Sequence, residues 1–231
     1  MSKMLITGGN TGLGHETARR LKEMGHDVTI ACRNEKKARP ASAELGVKYL
    51  ICDVTDDSSV SRCAEQFAEQ EGYLDVLINN AGVPGGYTGI DNMTVDAMKR
   101  IYEVNVFGAM RMILAFLPLL QKSDNPVIVN VSSGLGSFGQ IQNPDLMESR
   151  VATPLYSSSK AALSMLTLSL SKALPDIRIN AADPGSTKTG ENFPYGAQTV
   201  TEGTDAVVRL ATIGKDGPTG TFMNRDGRIP W

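Results

Sequence analysis

The sequence is poor in the residues that carry metal, disulfide and membrane chemistry. It has two histidines, His15 and His26, and neither has metal-ligand company, so no metal site is expected. Its three cysteines, Cys32, Cys52 and Cys63, are odd in number and follow no framework spacing. That argues against a disulfide scaffold and for a reduced, cytoplasmic setting. The net charge of −2 and pI of about 5.8 supply no basic field, so neither nucleic acid nor an anionic membrane is an expected partner. The most apolar run, 113–120, is short for a bilayer span and contains Pro118. A glycine-rich turn is reached within seven residues, which leaves no room for a signal peptide ahead of it. The sequons at Asn92 and Asn130 carry no meaning in a cytosolic chain.

What is present is ordinary globular composition, 41% hydrophobic and 21% charged over 231 residues. The order of segments is more informative. KMLIT (3–7) reads as a strand, GGNTGLG as a turn, and ETARRLKEMG as a helix with Ala18, Leu21 and Met24 at helical spacing. The glycines fall as G-x-x-x-G-x-G at Gly8, Gly12 and Gly14. Such a turn allows close backbone approach and points a helix N-terminus at a pyrophosphate. DVTIAC is a second strand. Cys32 and Arg33 stand where an acid would bind the ribose 2′-hydroxyl of NAD, and an arginine there suits the 2′-phosphate of NADP. VKYLICD is a third strand running into Asp53, followed by a helix with Val60, Cys63, Ala64 and Phe67 as its stripe. LDVLI is a fourth strand, stopping at Asn79-Asn80-Ala81-Gly82.

A long helical segment, 93–122, carries Asn105 among apolar residues, where it marks either a kink with a polar task or a satisfied core amide. PVIVNV is a fifth strand ending at Ser132-Ser133. The 22 residues from Gly134 to Leu155 have little periodicity and read as a functional loop. A helix from Tyr156, a sixth strand (IRINAAD), a Pro184–Thr189 loop, one helix over TEGTDAVVRLATIG and a short strand complete the chain. Alternating strands and helices predict an α/β fold, with a doubly wound parallel sheet, Rossmann-like, helices on both faces, and a single domain over 1–231. Thr7, Arg33, Asp53 and Asn79–Gly82 all fall at carboxyl ends of strands, where such sheets bind ligands.

The YSSSK stretch places Tyr156 and Lys160 four residues apart, on one helix face. A phenol titrates near pH 10, and a fixed cation beside it favours the phenolate. Lowering it by roughly 2 to 3 units takes about 3 to 4 kcal/mol and makes a proton-transfer device.

Thr7–Gly14, Asp53, N-N-A-G at Asn79–Gly82, Asn105, Ser133, Y-x-x-x-K at Tyr156–Lys160 and Pro184-Gly185 together resemble the short-chain dehydrogenase/reductase family over nearly the whole chain. The last thirty or so residues are similar, more loosely, to its carbonyl reductase branch. The resemblance implies that Tyr156 protonates a carbonyl oxygen, that Lys160 lowers the Tyr156 pKa and binds the nicotinamide ribose, and that Ser133 hydrogen-bonds the carbonyl. Ser133 is chosen over Ser132 because the family serine is usually the second of such a pair. Asn105 is implied to hold a relay water behind Lys160. Cofactor contacts are implied for Thr7, Gly8, Asn10, Thr11, Gly12, Leu13, Gly14, Arg33, Asp53, Val54, Asn80, Ala81, Gly82, Tyr156, Lys160, Pro184, Gly185, Thr187 and Thr189.

The expected activity is NADP(H)-dependent reduction of an aldehyde, ketone or quinone, with the small-molecule carbonyl/alcohol pair as partner. NAD-linked oxidation of a secondary alcohol and a non-catalytic cofactor sensor are the alternatives. Gly134–Leu155 is longer than in most of the family. In carbonyl reductases an insertion here covers the surface used for dimerisation, and since this one is shorter, monomer and homo-oligomer both stay open. Phe138, Ile141, Phe193 and Tyr195 are candidate liners of the substrate site.

Overall fold

A computed structural model describes residues 1–85, 90, 93–189 and 196–231. The first half repeats a strand–helix unit: β1 (Lys3–Thr7), α1 (Gly12–Glu23), β2 (Asp27–Cys32), α2 (Glu35–Leu45), β3 (Lys48–Ile51), α3 (Asp57–Glu71) and β4 (Val76–Asn79). α4 (Val95–Tyr102) and α5 (Ala109–Leu120) follow, joined by a π-helical stretch, Glu103–Gly108. Then come β5 (Val127–Val131), α6 (Phe138–Ile141), α7 (Pro154–Ala173), β6 (Arg178–Ala182), α8 (Val200–Gly203), α9 (Asp205–Ala211), β7 (Phe222–Asn224) and β8 (Gly227–Arg228). The eight strands form one sheet in the order β3-β2-β1-β4-β5-β6-β7-β8, parallel throughout except for the β7–β8 hairpin.

Two-residue alternation along each central strand feeds two cores. Ile6, Ile30, Ile78 and Val129 face Leu21 of α1 and Val207 of α9. Leu5, Leu77, Ile128 and Ile179 face Phe67 of α3 and Phe116 of α5. The rings of Phe67 and Phe116 meet edge to face at 5.7 Å. The central strands β4 and β5 are buried at every position, as strands covered on both faces must be.

Polar side chains also cross the interior. Asn79 Nδ2 donates to Asn130 Oδ1 at 2.9 Å, and Asn130 Nδ2 donates to Thr167 Oγ1 at 2.9 Å. Thr167 Oγ1 in turn donates to the Leu163 carbonyl at 2.8 Å. The thread ties β4, β5 and α7 through the sheet's buried face.

Several sequence expectations change in detail. Met24 lies beyond α1 and is 55% exposed, so Ala18 and Leu21 make the stripe without it. The expected helix over 201–214 breaks at Thr204, whose buried hydroxyl donates back to the Thr201 carbonyl and accepts from Arg20. Gly134–Leu155 is not featureless. It contains 3₁₀ turns at Gly134–Gly136 and Met147–Arg150 and the single turn of α6. The long helical segment expected over 93–122 does form, and its apolar stretch extends well beyond the 113–120 run. Val95–Leu120 is helical for 26 residues and is long and apolar enough to cross a membrane, but half of its most apolar window is buried in this protein.

Candidate active site

Thr7 closes β1 and clamps it to the end of β4. Its hydroxyl accepts from the Asn80 and Ala81 N–H groups at 3.0 Å each, and Asn80 Nδ2 donates to the Thr7 carbonyl at 2.9 Å. The turn that follows has room for glycine alone. Gly8 and Gly12 have φ of 66° and 55°, in the left-handed region. A Cβ on Gly9 would stand 2.5 Å from Ile30 Cγ2, and one on Gly14 would strike the Gly8 carbonyl and the Asn80 amide. α1 starts at Gly12 with no acid in its first turn and no side-chain cap on its N–H groups, so its positive end faces the turn with no anion of its own. Asn10 and Leu13 are half-buried, Thr11 is exposed, and Thr189 packs back against Gly12.

At the next two strand ends, Arg33 is exposed just beyond β2, and Asp53 follows β3. The N–H and hydroxyl of Thr55 donate to the Asp53 carboxylate at 3.0 and 2.7 Å. These bonds, with the Arg33 charge nearby, hold its pKa below the usual carboxylate range. Val54 is buried against Gly108. The Asn80–Gly82 segment leads inward from the glycine turn, and the bare face of Gly82 looks at Asn105 Oδ1 and Lys160 Nζ.

The centre of the edge is built on α7. Tyr156 is half-buried in its first turn, and Lys160 Nζ lies 5.7 Å from the Tyr156 ring centroid. Lys160 is buried and donates to the Val131 carbonyl at 2.8 Å. Burial lowers its pKa to about 8, with the Asp183 carboxylate acting in the opposite sense. Ser132 is buried, donating to the Lys160 carbonyl at 3.1 Å and bonding Ser164 Oγ at 2.8 Å. Ser133 points the other way. It is half-buried, and its Oγ accepts from the Leu135 N–H at 3.2 Å. The turn after it rests directly on α7, since a Cβ on Gly136 would come 2.6 Å from the Lys160 carbonyl carbon.

Asn105 resolves both halves of its sequence reading. It lies in the π-helical stretch and is a satisfied core amide. Its Oδ1 accepts from the Val83 N–H at 2.8 Å, and its Nδ2 donates to the Val83 carbonyl and Ser159 Oγ at 3.0 Å each. Both amide hydrogens are thus committed, and one Oδ1 lone pair is left.

A cleft of about 390 Å³ opens beside this centre, between the Gly134–Arg150 segment, the loop after β6 and the β8 tail. Phe138 and Ile141 do not line it. Phe138 is 67% exposed, while Gly139 and Gln140 face the cleft. Phe193 and Tyr195 lie outside the described residues. Asp183, Glu148 and Gln140 line it and were not anticipated. Asp183 closes a strand, as Asp53 nearly does, so the same strand-end rule could have found it.

The doubly wound sheet, bare glycine turn and Tyr–Lys pair define a dinucleotide-binding oxidoreductase. Residues 2–198 match the short chain dehydrogenase family, and the chain belongs to the short-chain dehydrogenase/reductase family. It is 32% identical to a (+)-neomenthol dehydrogenase of Arabidopsis thaliana, over 96% of this chain and 95% of the relative. It is 30% identical to a salutaridine reductase of Papaver bracteatum, over 95% of this chain and 93% of the relative. The NADPH-bound carbonyl reductase from chicken fatty liver superposes with a TM-score of 0.87 at 28% identity, covering 100% of this chain and 99% of that one.

Proposed function

We propose that the protein is an NADP(H)-dependent carbonyl reductase in which Tyr156 gives the proton. The observation that carries this is the packing of the Gly134–Gly136 turn, which directly follows Ser133, against the Lys160 backbone of the helix that also bears Tyr156. Ser133 donates to the carbonyl oxygen and orients it. Tyr156 protonates the same oxygen. Lys160, with a pKa near 8, is mostly cationic at neutral pH, favours the phenolate after transfer and returns the proton. The open lone pair of Asn105 and Lys160 Nζ both border Gly82, and the relay water is placed there.

A nicotinamide dinucleotide fits the edge. Side chains at Gly9 or Gly14 would clash with their surroundings, and the α1 N-terminus has no anionic residue of its own. When bound, the cofactor supplies the hydride. Arg33 would hold the 2′-phosphate of NADPH, with Asp53 and Val54 beside the adenine and Pro184, Gly185, Thr187 and Thr189 toward the nicotinamide. The reductase names of several relatives and the NADPH in the chicken structure support this reading.

The test is consumption of NADPH and NADH against diketones, quinones, aldehydes and keto esters. Tyr156→Phe should lose turnover by about 100-fold or more while keeping NADPH affinity. Arg33→Ala should weaken NADPH about tenfold and leave NADH unchanged. A fully active Tyr156→Phe, or a wild type that prefers NADH, contradicts the corresponding half of the proposal.

A further inference from the structure

Two carboxylates and an amide converge beside the reacting centre, and the Lys160 charge, which acts on Asp183, forms no ion pair with either carboxylate among the described residues. The point where a Cβ on Gly134 would stand lies 2.5 Å from Gln140 Oε1, 3.1 Å from Asp183 Oδ2 and 3.1 Å from Glu148 Oε1. All three residues line the cleft. Asp183 is 5% exposed and accepts from the Gly185 N–H at 2.9 Å. Gln140 is 6% exposed, yet its side-chain amide has no hydrogen-bond partner among the described residues. The Glu148 carboxylate likewise has no ion pair or hydrogen bond among them. The Gln140 amide borders the open cleft, where an arriving donor can reach Oε1. Burial raises the Asp183 pKa and the Glu148 charge adds to that, against the Gly185 and Gly134 N–H groups and the Lys160 charge, which act to lower it. A cation in the cleft relieves the carboxylates and occupies the amide oxygen together.

We propose that this cleft holds the ammonium group of the substrate, which is then an amino ketone or amino aldehyde. The inference rests on the reductase reading and deepens it. An ammonium brings three donors to three oxygens. A calcium or magnesium ion would need about six oxygen ligands, and three side-chain oxygens fall short. Leu146, Met147 and Ile229 line the same cleft and suit a hydrocarbon body. The acceptors gather around Gly134, in the turn that directly follows Ser133, so a small substrate carries both the ammonium and the carbonyl. In the reaction, the carbonyl carbon gains a hydride from reduced nicotinamide and its oxygen gains the Tyr156 proton, giving the amino alcohol with the ammonium intact.

The experiment pairs 2-amino-1-phenylethanone with propiophenone, in which a methyl replaces the ammonium, using wild type and Glu148→Gln at a pH where the amine is charged. The expected result is a kcat/KM preference for the amine that falls about tenfold or more in Glu148→Gln, with propiophenone turnover unchanged. Isothermal titration of the NADP+-bound protein with each ketone reads the same preference without turnover, since the oxidised cofactor has no hydride to give. A preference of equal size in both proteins, by either readout, overturns the subsite. Titration that keeps the Glu148-dependent preference while no carbonyl is consumed sinks the reductase reading and leaves the subsite standing. Calcium chloride that raises the wild-type Tm but not that of Glu148→Gln would reassign the oxygens to a metal and overturn the ammonium assignment.

Discussion

Adjacent serines at the end of β5 divide two tasks. Ser132 faces inward to Lys160 and Ser164, while Ser133 is half-buried and its Oγ accepts from the Leu135 N–H. Ser132→Ala leaves two buried partners short of a bond and should cost about 1 to 3 kcal/mol of stability by denaturant unfolding. Ser133→Ala should leave that midpoint in place and lower kcat/KM by about 100-fold. Lys160 adds a pH signature. Folded Lys160 loses its proton near 8 and unfolded lysine near 10.5, so between these values the unfolded chain binds more protons. This group's contribution to stability therefore rises with pH across that window. The Tm of wild type minus that of Lys160→Met should climb from pH 8 to pH 10, and a flat difference would contradict the buried-lysine account. These roles were partly legible, because the order S-S and the spacing Y-x-x-x-K are written in sequence. Asp183 stood at a strand end and could have been read the same way, whereas Glu148 and Gln140 were not legible, because folding brings them to that strand end and no local spacing records it.

At the scale of elements, the arm that carries Ser133 is held by contact rather than by regular structure. Gly136 lies against the Lys160 backbone with no room for a methyl. Gly136→Ala should push the arm off α7, lowering kcat by about tenfold or more while NADPH affinity, read by fluorescence titration, stays within about twofold. Strands β1 to β6 were readable because buried apolar runs bounded by turns have few other interpretations. The π-helical stretch at Glu103–Gly108 was not, since its apolar spacing is close to that of the helices on either side. Only the polar Asn105 hinted at it, and the structure shows why, with that amide occupied by Val83 and Ser159. The short turns between Gly134 and Leu155 escaped for another reason. Each is three or four residues long, below the window in which periodicity can be seen.

For the molecule as a whole, sheet order brings the ends of β1, β4, β5 and β6 side by side, which is why distant motifs share one edge. The tail closes that edge from the far side. Trp231 stacks on Phe222 at 5.4 Å, Ser137 Oγ donates to the Pro230 carbonyl at 2.7 Å, and the Gly139 N–H donates to the Trp231 carbonyl at 3.1 Å. Deleting residues 229–231 should lower Tm by roughly 5 to 10 °C and raise KM more than it lowers kcat. Calorimetry and steady-state kinetics read the two effects. An unchanged KM would mean the cleft wall stands without its tail. The thread from Asn79 through Asn130 to Thr167 has a different consequence. Apolar packing would let α7 turn or slide by a fraction of a residue against the sheet, since greasy surfaces tolerate many near-equal fits. Directional bonds at 2.9 Å do not. The thread works like a keyway on a shaft. It admits one angular setting of α7, and the phenol and ammonium two to three turns away inherit that setting.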